Sequence, residues 1–323
     1  MNVTEDANNT EDVSTKPAPR IAVAGSINMD LVIRCAALPM PGQTVLADHS
    51  EEICGGKGAN QAVSAARVGG QVTMIGRVGS DAFAGRLVDN LMKARVDCRT
   101  VIKTPQCASG LAIVAVENGG QNAIMVVAGA NGRFTPSDIH EHRDVIEQSD
   151  ALLLQLEIPI DAVLSAIEIA KAARVKVILD PAPMPSQWPR ELLQVDLLCP
   201  NESEAAALCG FDVESDEQVA AALRQLHSQG ARHVVITRGE KGCDCFDGET
   251  ITHIDAVPIR AVDTTAAGDA FAGALGVHWT QHRDFIAAVE FANAAGALAA
   301  SRSGAQPAMG TLTEIETLRS SVQ

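Results

Sequence analysis

The sequence predicts an α/β fold: a doubly wound, mainly parallel central sheet flanked by helices, with a small β-sheet lid. Three observations carry that reading. From Arg20 onward, short β-branched runs alternate with Ala-rich stretches of helical period. The runs are continuously apolar rather than alternating, as strands buried on both faces must be. Two segments, 31–54 and 98–127, are strand-like with no helix between their strands.

Residues 1–19 come first, a polar tail whose ionic residues (Glu5, Asp6, Glu11, Asp12 and Lys16) make it acidic. It has too little apolar surface to pack and is expected to be disordered. It lacks the apolar core of a signal peptide and is too acidic for a mitochondrial presequence, so a cytoplasmic location is expected. One domain is expected over 20–323. Its strands fall at Ile21–Ala24, Val72–Ile75, Ala151–Leu154, Val175–Leu179, Leu197–Leu198 and Val234–Ile236. Helical patterns lie near 58–68, 81–95, 136–148, 160–173, 201–208 and 216–228, and 268–300 is one long Ala/Gly-rich helical stretch. The two strand-like segments interrupt this rhythm. Leu111–Glu117 and Asn122–Val127 flank Asn118-Gly119-Gly120, the composition of a hairpin turn. A small antiparallel sheet beside a crevice suits a lid, and an ordinary edge hairpin is the plainer alternative.

Composition narrows the function. With 46% hydrophobic and 20% charged residues among 323, the chain is not disordered throughout. A net charge of −15 argues against nucleic acid and anionic membranes as partners. No apolar run approaches the roughly 20 residues that cross a bilayer. The eight cysteines lack any paired CxxC spacing and read as reduced thiols rather than zinc ligands.

Two nucleotide signatures are missing. A P-loop needs Ser or Thr after its Gly-Lys, and here Gly58 follows Gly56-Lys57. A dinucleotide fingerprint needs Gly-x-Gly-x-x-Gly after the first strand, where Gly25-Ser26-Ile27-Asn28-Met29-Asp30 stands instead. Hydride transfer loses its support there. Asn28 and Asp30 sit at the carboxyl edge of the sheet, where open α/β sheets bind ligands, and an amide with a carboxylate can grip neighbouring hydroxyls. Asp30 also reads as a turn or cap residue. Gly55-Gly56-Lys57-Gly58-Ala59-Asn60 opens a helix and lets a ligand approach backbone N–H groups, with Lys57 and Asn60 in reach of sugar oxygens. Asn201-x-x-Glu204 is a capping-box pattern, or places Glu204 to hold a water of a magnesium–phosphate assembly. Asp263-Thr264-Thr265-Ala266-Ala267-Gly268-Asp269 leads into a helix whose free N–H groups at 266–269 suit an anion. A carboxylate beside an anion hole is what phosphoryl transfer to an alcohol requires.

Together these motifs resemble the ribokinase (PfkB-type) family of carbohydrate kinases. The resemblance runs over nearly all of 20–310, and its two long motifs are Gly55–Gly70 and Asp263–Leu275. Shorter ones are Gln155-Leu156-Glu157, Pro181-Ala182-Pro183, Thr237-Arg238-Gly239 and Gly304-Ala305-Gln306-Pro307. The resemblance implies ATP-dependent phosphorylation of D-ribose at its 5-hydroxyl, with 2-deoxyribose or another small sugar as the alternative. It implies Asp269 as catalytic base and the backbone of Ala266, Ala267 and Gly268 as anion hole. Asn28, Asp30, Gly56, Lys57, Asn60, Glu157 and Asp269 would hold the sugar. Asn201, Thr237, Arg238, Gly239, Glu240, Lys241, Gly242, Gly268, Asp269 and Asn293 would line the ATP site. Glu204 would orient a water on Mg²⁺. Asp263 and Thr265, with carbonyls near Ala299, Arg302 and Gly304, would hold K⁺ as a monovalent activator. A homodimer through the lid is implied as well. A non-catalytic sugar or nucleotide sensor on the same fold would not need Asp269 and Glu204.

Overall fold

The computed structural model describes residues 17–321 except Asn118, Gly120 and Ser186. The acidic tail up to residue 16 and two of the three residues expected to turn the hairpin lie outside the described residues. A nine-stranded sheet forms the core. Its strands are β1 (Arg20–Ala24), β4 (Gln71–Val78), β5 (Val101–Lys103), β8 (Ala151–Leu154), β9 (Lys176–Leu179), β10 (Leu197–Leu198), β11 (His233–Thr237), β12 (Cys243–Phe246) and β13 (Ile251–Ile254). Their order is β13-β12-β11-β10-β9-β8-β1-β4-β5. β1 lies in the middle, with Ile21 paired to Val72 on one side and to Ala151 on the other, both in parallel register.

Burial on both faces explains the unbroken apolar runs. Ile21 and Val23 enter one hydrophobic layer, and Ala22 and Ala24 the other. The first layer is covered by α1 (Lys57–Arg67), α2 (Ala82–Lys93), α8 (Ala267–His282), α9 (Phe285–Ala300) and α10 (Leu312–Ser320). The second is covered by α3 (Pro136–Glu141), α4 (Arg143–Glu147), α5 (Ile160–Ala173), α6 (Glu202–Cys209) and α7 (Asp216–Ser228). Among the described residues no helix is long and apolar enough to cross a membrane.

A second sheet of β2 (Asn28–Cys35), β3 (Ala47–Gly55), β6 (Gly110–Glu117) and β7 (Asn122–Val127) projects from the core in the order β3-β2-β6-β7. Its outer pairs are antiparallel, while the central pair, β2 with β6, is parallel. Both central strands start at the core rim, where Asn28 pairs with Gly110, and run outward to Cys35 and Glu117. Residues 98–109 do not belong to this sheet. β5 pairs with β4 and closes the edge of the large sheet, so the second lid segment begins at Gly110.

Three further boundaries differ from the periodicity. The helical stretch 268–300 breaks at Arg283, which adopts φ 61°, and Asp284 caps the next helix by accepting from the Ala287 amide at 3.1 Å. The pattern at 136–148 divides at His142 into α3 and α4. β12 and β13 form an antiparallel hairpin that adds the far edge of the sheet.

The parallel strands deliver their carboxyl ends to one rim. β1 leads to Ser26–Asp30, β8 to Gln155–Glu157, β9 to Asp180, β10 to Asn201 and β11 to Thr237. That rim, with α1 and α8 above it, is the candidate site.

Candidate active site

The start of α1 forms the floor. Gly56 holds φ 89°, and a side chain there would meet the Asn28 backbone nitrogen at 2.7 Å. The Ala59 amide donates to the Ser26 carbonyl at 2.9 Å. Strand exit and helix start are thus locked backbone to backbone.

Glu157 ties this floor to β8. Its Oε2 accepts from Ser26 Oγ at 2.5 Å, from the Lys57 amide at 3.1 Å and from Asn28 Nδ2 at 3.4 Å. Asn28 Oδ1 in turn accepts from Asn131 Nδ2 at 2.7 Å. Asp30 points into the same space without a hydrogen-bond donor among the described residues. A side chain on Gly55 would overlap its Oδ2. Burial, with Glu157 and Asp269 adding repulsion, pushes the Asp30 carboxyl up to about 7.

Asp269 stands in the first turn of α8 and is buried. Its Oδ2 accepts from Asn60 Nδ2 at 2.9 Å and its Oδ1 from Gln61 Nε2 at 3.3 Å. Lys57 Nζ lies 3.3 Å from Asp180 Oδ2 and 3.9 Å from Asp269 Oδ1. Burial raises both carboxyls above the ordinary range; Lys57 opposes that rise, and neighbouring carboxylates reinforce it. Burial works against the Lys57 charge, but Asp180, Asp269 and Glu157 outweigh it and hold its pKa above the usual lysine value. The site therefore keeps a fixed cation between two acids.

α8 begins without a side-chain cap, and Ala266 adopts φ 59°. The Ala267 amide is spent on the Thr264 carbonyl at 3.2 Å. This narrows the expected anion hole: the N–H groups of Ala266, Gly268 and Asp269 have no acceptor among the described residues. Nothing stands within 4 Å of where a Gly268 side chain would be. Free donors, positive helix end and open space together suit a phosphoryl group.

Two cavities meet there. A small one of about 200 Å³ is lined by Lys57, Asp180, Asn201, Glu204, Ala266 and Asp269. A larger one of about 780 Å³ is lined by Thr237, Gly239, Glu240, Gly242, Ala267 and Asn293, with an apolar wall from Val257, Ile259 and Phe271. Thr237, Thr264, Gly268 and Phe271 belong to both. Asn293 is pinned by its Nδ2 donating to the Asp255 carbonyl at 2.8 Å.

Asn201 and Glu204 cap α6. Asn201 Oδ1 accepts from the Glu204 amide at 2.8 Å and Glu204 Oε2 from the Asn201 amide at 2.9 Å, a complete capping box. Both residues also line the smaller cavity. Arg238 and Lys241 line neither cavity, contrary to the expected ATP contacts. Arg238 is buried and held by Glu202, Asp216 and Asp244 at 3.2, 2.8 and 2.9 Å, and Lys241 lies 3.8 Å from Glu202. Three acids from three elements outcompete a bound phosphate for that guanidinium, which braces β11 instead.

In the loop before α8, Asp263 accepts from the Thr265 amide through Oδ1 and from the Gly304 amide through Oδ2, each at 3.0 Å. Burial alone would raise its pKa, but these hydrogen bonds hold it below the usual carboxylate value. The Ala299 carbonyl accepts from the Arg302 amide at 3.1 Å, and the Arg302 side chain turns away to Glu314 at 2.7 Å.

Sequence reading assigned no role to Ser26, Gln61, Asn131, Gln155 or Asp180. Gln61, Gln155 and Asp180 lay inside or beside the quoted motifs. Asn131 sits in a short turn far along the chain and carried no local signal.

The fold and this arrangement define a carbohydrate kinase. The model of the pfkB family of carbohydrate kinases matches residues 18–312, and the chain belongs to that family. The chain is 36% identical over 299 residues to a ribokinase of Staphylococcus aureus (strain COL), covering 92% of this chain and 98% of that protein. It is 34% identical over 287 residues to a deoxyribokinase of Salmonella typhi, covering 88% and 94%. The structure of Arabidopsis thaliana ribokinase complexed with ribose and ATP superposes with a TM-score of 0.86 at 34% identity, covering 93% of this chain and 98% of that one.

Proposed function

We propose that the chain is a ribokinase, which transfers the γ-phosphoryl group of ATP to the 5-hydroxyl of D-ribose and releases ribose 5-phosphate and ADP. Asp269 carries this reading. It is a buried carboxylate with a raised pKa, at an uncapped helix start, where a polar floor meets a nucleotide-sized cavity. A raised pKa makes it a better proton acceptor. Asp269 takes the proton of the attacking hydroxyl as the new O–P bond forms and the bond to the leaving ADP oxygen breaks. The N–H groups at the start of α8 face the charge on the moving group, and Lys57 balances the two acids behind it.

Asn28, Asp30, Gly56, Lys57, Asn60 and Glu157 surround the sugar in this reading. Asp30 favours ribose over 2-deoxyribose. A carboxylate with no donor of its own accepts two hydrogen bonds from neighbouring hydroxyls, and a 2-deoxy sugar has fewer vicinal pairs to give. An ATP-consumption panel over ribose, 2-deoxyribose, fructose and nucleosides tests this. The highest kcat/KM is expected for ribose, and a preference for 2-deoxyribose would overturn the assignment.

Glu204 and Asp180, two of the three carboxylates lining the small cavity, are hard oxygen donors of the kind Mg²⁺ prefers, and Glu204 has one oxygen outside its capping box. Bound with ATP, Mg²⁺ would neutralise phosphate charge. K⁺ fits the loop of Asp263 and Thr265 and the carbonyls near Ala299, Arg302 and Gly304, where it would add positive charge and order beside the anion hole. Replacing K⁺ by Na⁺ or a bulky organic cation at matched ionic strength is expected to lower the rate; equal rates would remove K⁺ from the reading.

Ile124 and Met125 on the lid edge are 56% and 63% exposed, and Val126 and Val127 beside them are 53% exposed each, an apolar edge strand that invites pairing. This supports a homodimer through the lid, testable by sedimentation of the protein and of Met125→Asp. All eight cysteines are free, which supports a reducing, cytoplasmic setting.

A further inference from the structure

The pair Gln61 and Gln155 lies directly behind the base. Both are buried, at 1% and 0% exposure, and Gln61 lines neither cavity. Gln61 Nε2 donates to Asp180 Oδ2 at 3.1 Å and to Asp269 Oδ1 at 3.3 Å. Its Oε1 accepts from Gln155 Nε2 at 2.5 Å. We propose that Gln61 is a positioning residue for the catalytic base, bridging Asp269 and Asp180 through its amide, with Gln155 holding the amide oxygen from behind. The proposal rests on Asp269 being the base.

The contact between α1 and α8 sets where the amide sits. A side chain on Gly273 of α8 would meet the Gln61 carbonyl and Ser64 Cβ at 2.6 Å, and Ser64 Oγ donates to the Ala270 carbonyl at 2.8 Å. α1 and α8 are therefore docked in near contact, and the Gln61 backbone cannot drift relative to Asp269. Asp269 receives one donor on each oxygen, from Asn60 and Gln61, adjacent residues of α1. Two donors define the carboxylate plane. Without Gln61, Oδ1 keeps only Lys57 at 3.9 Å, which attracts but does not orient.

The orientation of the amide matters as much as its presence. Reversed, its oxygen would face two carboxylates, which is repulsive. The two carboxylates therefore draw the Gln61 NH₂ toward them and leave its oxygen to the far side. That oxygen accepts from Gln155 Nε2, which steadies the side chain. A base misplaced by about 1 Å can lose on the order of 10²-fold in rate.

Gln61→Met keeps length and apolar volume and removes the donor. Its kcat is expected to fall about 10- to 100-fold, the size of one hydrogen bond to a charged group, with KM for ribose and ATP changed much less. The melting temperature and affinity for an ATP analogue monitor the fold. The deciding measurement places Gln61→Met in an Asp269→Asn background, where a residue acting through Asp269 has nothing left to position and no further loss is expected. An unchanged kcat in the single variant overturns the proposal, and so does the same fold loss in both backgrounds. Should Gln61→Met not fold, Gln155→Leu removes the donor to Gln61 Oε1 and loosens that side chain; a smaller kcat loss that vanishes with Asp269→Asn is expected, and a loss of equal factor in both backgrounds overturns the proposal. If Asp269→Asn alone keeps full activity, the reading of the base fails, which is a different outcome.

Discussion

Asp269 is buried and Asp30 half-buried, and the protein treats the two acids in opposite ways. Asp269 is surrounded by donors from the rigid pairing of α1 with α8. Asp30 stands on β2, at the root of the lid, and has no donor among the described residues although burial pushes its carboxyl up to about 7. One site is organised before any substrate arrives. The other is a carboxylate without a protein donor, which in the proposed reading takes the hydroxyls of the sugar. In the proposed reaction catalysis needs the first, because a base must not reorganise as the proton moves. In the same reading selective binding gains from the second, because a half-buried acceptor without a protein donor favours a ligand that brings donors to it.

The largest effect that would break this contrast is at the organised end. Asp269→Asn keeps shape and loses the proton acceptor. It also turns one amide NH₂ toward donors on Asn60 or Gln61. A kcat reduced about 10²- to 10⁴-fold is expected, with ribose binding near normal. Steady-state kinetics and ribose titration check it, and more than half the activity remaining would remove Asp269 from its role. A smaller effect belongs to the other end. Asp30→Ala is expected to weaken ribose binding about 10- to 100-fold, since hydrogen bonds to a charged acceptor are each worth roughly 1.5–3 kcal/mol. Affinity for an ATP analogue should stay unchanged. If ribose affinity holds and only the melting temperature falls, Asp30 is a structural residue.

The sequence carries these two ends unequally. The strands and motif positions are legible because a strand buried on both faces must be apolar throughout, as Ala151–Leu154 is, and because the close approach at Gly56 tolerates no side chain. The parallel pairing of β2 with β6 is not legible, since it joins segments far apart whose local patterns contain no register. The three-residue β5 gives periodicity too little to work with. Arg238 sits in a nucleotide-like motif, yet its partners Glu202, Asp216 and Asp244 come from three elements that only the fold assembles. The motif that carries Asp269 into the first turn of a helix is legible in the sequence. The donors that hold it, and the absence of any around Asp30, are properties of tertiary contact.

That absence has a measurable cost, and it sets the smallest effect. Asp30 has a folded pKa of about 7 against 3.8 in its unperturbed form. Its folded state therefore holds a proton that the unfolded state gives up between those values. The stability it contributes is full below about 4 and is lost as pH rises through 7. Asp30→Asn removes the charge and with it this dependence. The variant is expected to melt a few degrees above the parent at pH 8 and to match it near pH 4. Ribose should reverse the order. Hydroxyl donors favour the ionised carboxylate, so ribose affinity of the parent is expected to rise from pH 6 to pH 8 and then level, while that of Asp30→Asn stays weak and flat. Thermal melts at both pH values, with and without ribose, read both quantities in one experiment. A parent that gains stability from pH 4 to 8 relative to Asp30→Asn in the absence of sugar would show that Asp30 already has its partner, and the contrast with Asp269 would collapse.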